Sequence, residues 1–228
     1  MKKGNTEEQF IVTQFPSAFS DEFHGLHDSI SAEAAAGRSQ AIQFAASQRG
    51  EGVTTVLLGF GIFLSELYGS DQVIAVESNF REPGFRKIFR IDSDSGLQGV
   101  LHGNAHLEDA IVRVRGAGLG LLPADRQGGA TDVFSREASR VKLSEVLGDL
   151  KSSFRFVLVD SPPIVPFIDG CFLSSAVDGV VFVVESNKTR AEVVDQALKR
   201  LKARGANIKG LVLNKRVFHV PNFVYRFL

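Results

Sequence analysis

The chain carries one cysteine, Cys171, among 228 residues. A single thiol excludes an internal disulfide framework and a multi-cysteine zinc site, and it points to a reducing compartment. Net charge is missing too: Lys+Arg and Asp+Glu each total 26, a formal charge of +0. That balance leaves no basic footprint for nucleic acid and little repulsion to keep copies or partners apart. Trp is absent and Tyr occurs twice, yet Phe occurs 19 times. Phe23, Phe60, Phe63 and Phe172 sit in apolar contexts, so this aromatic content reads as core packing. No run approaches the ~18 apolar residues of a membrane span; residues 180–184, all Val or Phe, have the length of a buried strand. Met1-Lys2-Lys3 leads into Gly4-Asn5-Thr6-Glu7-Glu8-Gln9, not into the apolar stretch of a secretory leader. With 44% hydrophobic and 23% charged residues the composition is that of a globular protein, which excludes a disordered or collagen-like chain.

What is present is an alternation of apolar strand runs and helices. Residues 1–20 are polar and mixed and are expected to form a loosely held arm, followed by a single domain over 21–228. Ser20 is placed to cap a helix over 21–35, with Phe23, Leu26 and Ile30 on one face, closed by Gly37. Strands are expected over 41–46, 72–76, 119–122, 154–159, 179–184 and 208–213. Helices are expected over 54–68, 135–150 and 189–204, with short helical pieces at 84–89, 95–102 and 107–111. This order predicts an α/β fold: a doubly wound, mainly parallel sheet with helices on both faces. Ligands of such folds bind beyond the carboxyl ends of the strands.

The residues just after the strands carry the chemistry. Ser47-Gln48-Arg49-Gly50-Glu51-Gly52-Val53-Thr54-Thr55 separates the first strand from its helix. Glycines let the backbone curl so that its N–H groups point inward, and the helix N-terminus adds positive potential, as a phosphate loop requires. Against the pattern G-x-x-x-x-G-K-[ST], Gly52 and Thr54 are in place, Ser47 stands at the first glycine and Val53 at the lysine. The second strand ends in Glu77-Ser78-Asn79-Phe80-Arg81-Glu82-Pro83. A later one ends in Val157-Leu158-Val159-Asp160-Ser161-Pro162-Pro163, an apolar run before an acid that suits a Walker B Mg²⁺ ligand.

These segments resemble the bacterial tyrosine kinase and polysaccharide co-polymerase ATPase family, a branch of the MinD/ParA-type P-loop proteins. The resemblance runs from about Ser20 to Leu228 and rests on ordered segments. They are Gly50 to Thr55, residues 73–83, Gly96-Leu97-Gln98-Gly99-Val100-Leu101-His102-Gly103, Leu121-Leu122-Pro123-Ala124, Asp160 to Pro163, Asp169, Asp178-Gly179-Val180, Lys188-Thr189-Arg190 and Val212-Leu213-Asn214. It implies a P-loop NTPase-like domain that binds Mg-ATP or Mg-ADP. Gly50, Glu51, Gly52, Val53, Thr54, Thr55 and Asn214 would form the nucleotide site, Thr54 and Asp160 would hold Mg²⁺ if nucleotide binds, and Asp160, as the Walker B residue, would be catalytic. Glu77, Asn79 and Arg81 would stand on the second Walker-type strand.

The departures bear on function. Val53 has no charge to offer a phosphate. Two acidic positions of the family's second strand motif are Glu77 and Asn79, with Arg81 and Pro83 retained. The family's oligomerising E-x-x-R-x-x-R helix appears as Asp21-x-x-His24-x-x-His27, and its C-terminal tyrosine cluster is reduced to Tyr225. The expectation is a catalytically impaired member with weak or absent nucleotide binding. It would act as a cytoplasmic regulator or scaffold in capsule or exopolysaccharide synthesis, at the inner membrane face through a membrane chain-length protein, as a homo-oligomer or with an active paralogue. Two alternatives stand beside it: a functioning ATPase or tyrosine autokinase in which Arg49 or a partner replaces the lysine, and a nucleotide-free interaction module. Arg49 is read as a solvated surface arginine, the His24/His27 pair as a partner contact, Cys171 as core, and the aromatic tail over 220–228 as packing on the domain or docking on a membrane or partner.

Overall fold

The structure is a computed structural model that describes residues 20–31, 37–113, 118–127 and 133–216. The N-terminal arm, save Ser20, and the aromatic tail lie outside these residues. The elements follow in the order α1 (Ser20–Ser31), β1 (Gln40–Ala46), α2 (Val53–Tyr68), β2 (Val73–Glu77), α3 (Phe85–Phe89), α4 (Leu97–Leu101) and α5 (Leu107–Ala110). Then come β3 (Val112–Arg113), β4 (Gly120–Leu122), α6 (Glu137–Ser153), β5 (Phe156–Asp160), α7 (Asp169–Leu173), β6 (Gly179–Glu185), α8 (Ala191–Lys202) and β7 (Ile208–Asn214).

Seven strands form one sheet in the order β3-β4-β2-β5-β1-β6-β7. All pairings are parallel except the short edge pair of β3 with β4. The central strands are buried on both faces, and alternate residues serve opposite layers. On β6, Val181 and Val183 join the cluster under α1 and α2, whereas Val180 and Phe182 join Ala197 and Leu201 of α8. On β5, Phe156 and Leu158 face the first layer, and Val157 and Val159 pack on Leu143, Val146 and Leu150 of α6. The aromatic expectation holds in detail: Phe60 and Phe63 are buried in the first layer, with Phe23 partly buried against them, and Phe172 is partly buried against the second. Cys171 is buried as expected.

Two features depart from the sequence reading. β3 adds an antiparallel edge strand whose two residues are too few to show a period. Asp169–Leu173 forms α7, a five-residue helix that the sequence reading did not include. The helix expected over 21–35 is seen to Ser31, and residues 32–35 lie outside the described residues. Topology sets the site. β1 lies between β5 and β6, so the winding that built β2 and β4 on one side reverses there to build β6 and β7 on the other. A crevice opens beyond the carboxyl end of the strand at such a reversal.

Candidate functional site

The chain leaves β1 at Ala46 and turns through residues 47–52 into α2. Gly50 and Gly52 take φ values of 78° and 93°, a left-handed region open to glycine because it has no Cβ. Gly52 is also pressed against the Asn214 amide, which any side chain there would strike. Gly52 caps α2 with no side-chain hydrogen bond, and the first turn carries no acid. The N–H groups of that turn lack intrahelical partners, and together with the helix dipole they favour an anion.

The loop is braced from outside. The Glu51 carboxylate accepts the Gln48 N–H at 2.7 Å and the Thr189 hydroxyl. Asn214 Nδ2 donates to the Glu51 carbonyl at 2.8 Å, and Lys215 Nζ to the Gly50 carbonyl at 2.6 Å. Lys215 also pairs with Glu185 at 3.3 Å.

A pocket of about 330 Å³ lies inside the loop, lined by residues 48–55 and, from neighbouring strand ends, by Asn79, Glu82, Asp160, Ser161, Pro163 and Lys215. Asp160 is its buried acid, 2% exposed. Its Oδ2 accepts the Thr54 hydroxyl at 2.7 Å, and its Oδ1 has no hydrogen-bond partner among the described residues. Burial pushes the Asp160 pKa up to about 7; the nearby Glu77 charge adds to the rise, while the Thr54 and Ser161 hydrogen bonds oppose it. A buried carboxylate oxygen without a donor is costly, and a cation at the pocket would relieve it.

Glu77 stands beside Asp160 in register but turns away. Its Oε1 accepts the N–H groups of Gly84 at 2.5 Å and Phe85 at 2.8 Å, and its Oε2 that of Ala124 at 2.9 Å. Burial nevertheless raises its pKa, outweighing these three hydrogen bonds and the attraction of Arg86.

Of the residues singled out in the sequence, Gly50, Glu51, Gly52, Val53, Thr54, Thr55, Asn79 and Asp160 line the pocket, and Glu77, Arg81 and Asn214 do not. Glu77 is consumed by backbone donors. Arg81 pairs with Asp169 at 3.0 Å and lies over the Phe167 ring. Asn214 is spent on the Glu51 carbonyl. Val53 is partly buried and packs against the apolar cluster under α2. Arg49, read as a solvated surface arginine, is 54% exposed and also lines the pocket, with Glu82 and Lys215 as further charged neighbours. Their position just after a strand, beside residues already singled out, was the available signal. His24 and His27 both touch α2: His24, itself exposed, meets the Phe63 ring edge-on at 4.8 Å, and His27 Nε2 lies 2.7 Å from the Tyr68 hydroxyl. No group of three metal-binding side chains occurs among the described residues.

A mostly parallel sheet whose first strand runs through a glycine loop into a helix, beside a strand ending in a buried Asp, defines the P-loop NTPase fold. The particular relatives are bacterial tyrosine-protein kinases. The tyrosine-protein kinase CpsD of Streptococcus agalactiae is 25% identical over 169 residues, which cover 74% of this chain and 72% of CpsD. The relatives include the succinoglycan biosynthesis transport protein ExoP of Rhizobium meliloti, 22% identical over 206 residues that cover 90% of this chain and 26% of ExoP. The fold matches the chimerical protein CapA2B2 with a TM-score of 0.76 at 22% identity, covering 90% of this chain and 88% of that one. It also matches the septum site-determining protein MinD of Pyrococcus horikoshii, solved with Mg-ADP, with a TM-score of 0.63 at 24% identity, covering 83% and 76%. No family model matches the chain.

Proposed function

We propose that the chain is a catalytically impaired P-loop protein of the bacterial tyrosine-kinase type, a regulator or scaffold in capsule or exopolysaccharide synthesis. The observation that carries this reading is Val53, an apolar side chain at the lysine position of a loop otherwise built for phosphate. The remaining parts fit a Mg-nucleotide. Two left-handed glycines and the α2 N-terminus favour an anion, and the orphaned Asp160 Oδ1 and the Thr54 hydroxyl would hold Mg²⁺. Bound there, the metal would neutralise phosphate charge. The chain's own residues shape the pocket: Glu51 and Asn214 hold the loop curled, and Ser78 ties the end of β2 to the Asp160 carbonyl through its N–H and its hydroxyl, at 3.0 and 2.5 Å.

Lysine would donate charge-assisted hydrogen bonds worth roughly 1.5–3 kcal/mol. Its loss lowers nucleotide affinity by about one to two decades, and turnover by more, because charge develops on the transferring oxygens. Glu77 deepens the impairment, since its carboxylate is committed to three backbone donors. The intact Thr54–Asp160 pair favours the second reading, a slow but functioning ATPase or autokinase.

A membrane chain-length protein is the partner this reading implies, with the domain cytoplasmic and held at the membrane face through that protein, as a homo-oligomer or beside an active paralogue. Among the described residues no helix is long and apolar enough to cross a membrane. Calorimetric titration with MgADP and MgATP, with turnover measured on the same sample, tests the proposal. Weak binding without turnover is expected. Turnover that Asp160→Ala abolishes overturns the impairment, and no binding at any concentration leaves the interaction module.

A further inference from the structure

The pocket that lacks a lysine is flanked by two other cations. Lys215 is committed on one side, to the Gly50 carbonyl and Glu185. Arg49 is different. It belongs to the loop itself, lines the pocket, and reaches across to Glu82, another lining residue, with 2.7 Å between Nη1 and Oε1. Both side chains are about half exposed, at 54% and 47%, so water screens the pair and little holds it closed. The Arg49 guanidinium also lies 5.3 Å from the centre of the Phe167 ring. Arg81 lies over the same ring at 4.1 Å and is itself fixed by Asp169, a carboxylate 5% exposed.

Three strand-end loops therefore meet at Arg49: its own, the one after β2 carrying Arg81 and Glu82, and the one after β5 carrying Phe167. A guanidinium is a bidentate donor for phosphate oxygens, and stacking on an aromatic face pre-orients it. Glu82 occupies one of the donors, at Nη1, that a phosphate would take.

We propose that Arg49 is the phosphate-binding cation of this loop, in place of the absent lysine, and that its ion pair with Glu82 is a latch which an entering diphosphate displaces. The ligand class is the pyrophosphate moiety of a nucleoside di- or triphosphate. The inference rests on the reading of the pocket as a phosphate site, whose independent sign is the unpartnered Asp160 Oδ1 at its buried wall. Phe167 keeps the freed guanidinium at the mouth, so Arg49 changes partner without leaving the pocket.

The test uses the full chain with inorganic pyrophosphate and MgADP as probes, read by calorimetry, with a thermal melt of every variant. Arg49→Ala should lower affinity for both probes by about tenfold or more, the value of a charge-assisted contact. Glu82→Gln should raise it by about threefold, as expected for releasing an exposed pair, and that gain should vanish in the Arg49→Ala background. Phe167→Ala, which changes no charge, should weaken binding by a few-fold. An Arg49→Ala variant that binds within twofold of the wild type overturns the proposal. So does a Glu82→Gln gain of equal size with and without Arg49, because Glu82 would then act through its own charge. Val53→Lys separates this failure from that of the site. If Val53→Lys binds pyrophosphate while Arg49→Ala changes nothing in the wild type, the pocket is a phosphate site and the arginine assignment falls. If neither the wild type, Glu82→Gln nor Val53→Lys binds either probe, the phosphate site falls with it.

Discussion

Glu77 and Asp160 end adjacent strands as register partners, and both are buried, yet they serve opposite purposes. Glu77 spends both oxygens on three backbone N–H groups of the loops before α3 and after β4. Asp160 spends one oxygen on Thr54 and leaves the other bare beside the pocket. A buried acid whose hydrogen bonds are complete holds the fold together. One left incomplete stores an electrostatic cost that a bound cation can remove. The family resemblance set both at the ends of Walker-type strands, and hydrogen-bond accounting separates them.

The largest effect that would break this contrast is the pH dependence at Asp160. Its pKa rises from 3.8 unfolded to about 7 folded. Between those values the native state binds more protons than the unfolded one, so stability falls as pH rises from about 4 to 7. At 1.36 kcal/mol per unit the loss reaches about 4 kcal/mol. Chemical denaturation of wild type and Asp160→Asn across that range should show the difference between them growing with pH. A constant difference would mean that Asp160 titrates normally. Added Mg²⁺ should stabilise the wild type at pH 8 and leave Asp160→Asn unchanged.

Glu77→Ala comes next. It strands three backbone donors in loops that border the pocket, and each buried unsatisfied group costs about 1–3 kcal/mol. A loss of about 3 kcal/mol in urea unfolding is expected; a loss under ~1 kcal/mol would show that Glu77 is not the brace described.

Val53→Lys should raise MgADP affinity about tenfold, its long stem following the apolar surface that Val53 now covers while the amine reaches the pocket. Adding Glu77→Asp to restore a family-like acid should lower the melting temperature rather than improve binding, because the shorter side chain withdraws from its backbone donors. A triple variant with Asn79→Asp that is stable and binds better still would reverse that assignment.

Thr54→Val should have the smallest effect. It removes one hydrogen bond to the buried Asp160 carboxylate, worth about 1.5 kcal/mol at the lower end for a charged acceptor, and the cost should be confined to high pH, where Asp160 is ionised. An equal cost at pH 5 and pH 8 would show that the hydroxyl acts through packing.

Much of the architecture was legible because buried parallel strands are written as continuous apolar runs. Val180 to Val184 and Val157 to Val159 announce themselves, and glycines at 50, 52 and 69 mark where chain direction changes. The loop and Asp160 were legible for the same reason: they sit where an apolar run stops. β3 was not, since two residues are too few to carry a period, and α7 was missed although the equally short α3 and α4 were expected. Arg49 is exposed, as read, but that it also lines the pocket was not legible, because an arginine in a polar loop looks the same whether it faces open solvent or a pocket mouth. Its placement depends on Glu82 and Phe167, which are 33 and 118 positions away along the chain.

By itself, then, the sequence determined the strand order in time, the glycine loop, the acid after β5 and the missing lysine, because each is a local property of composition and period. Only the tertiary structure decided which of two neighbouring acids is braced and which is bare, that Asn214 and Lys215 close over the loop, and that Arg49 lines the pocket. Hydrogen-bond satisfaction and charge pairing are settled between segments that meet across the sheet end, and no local pattern encodes which donor will reach which acceptor.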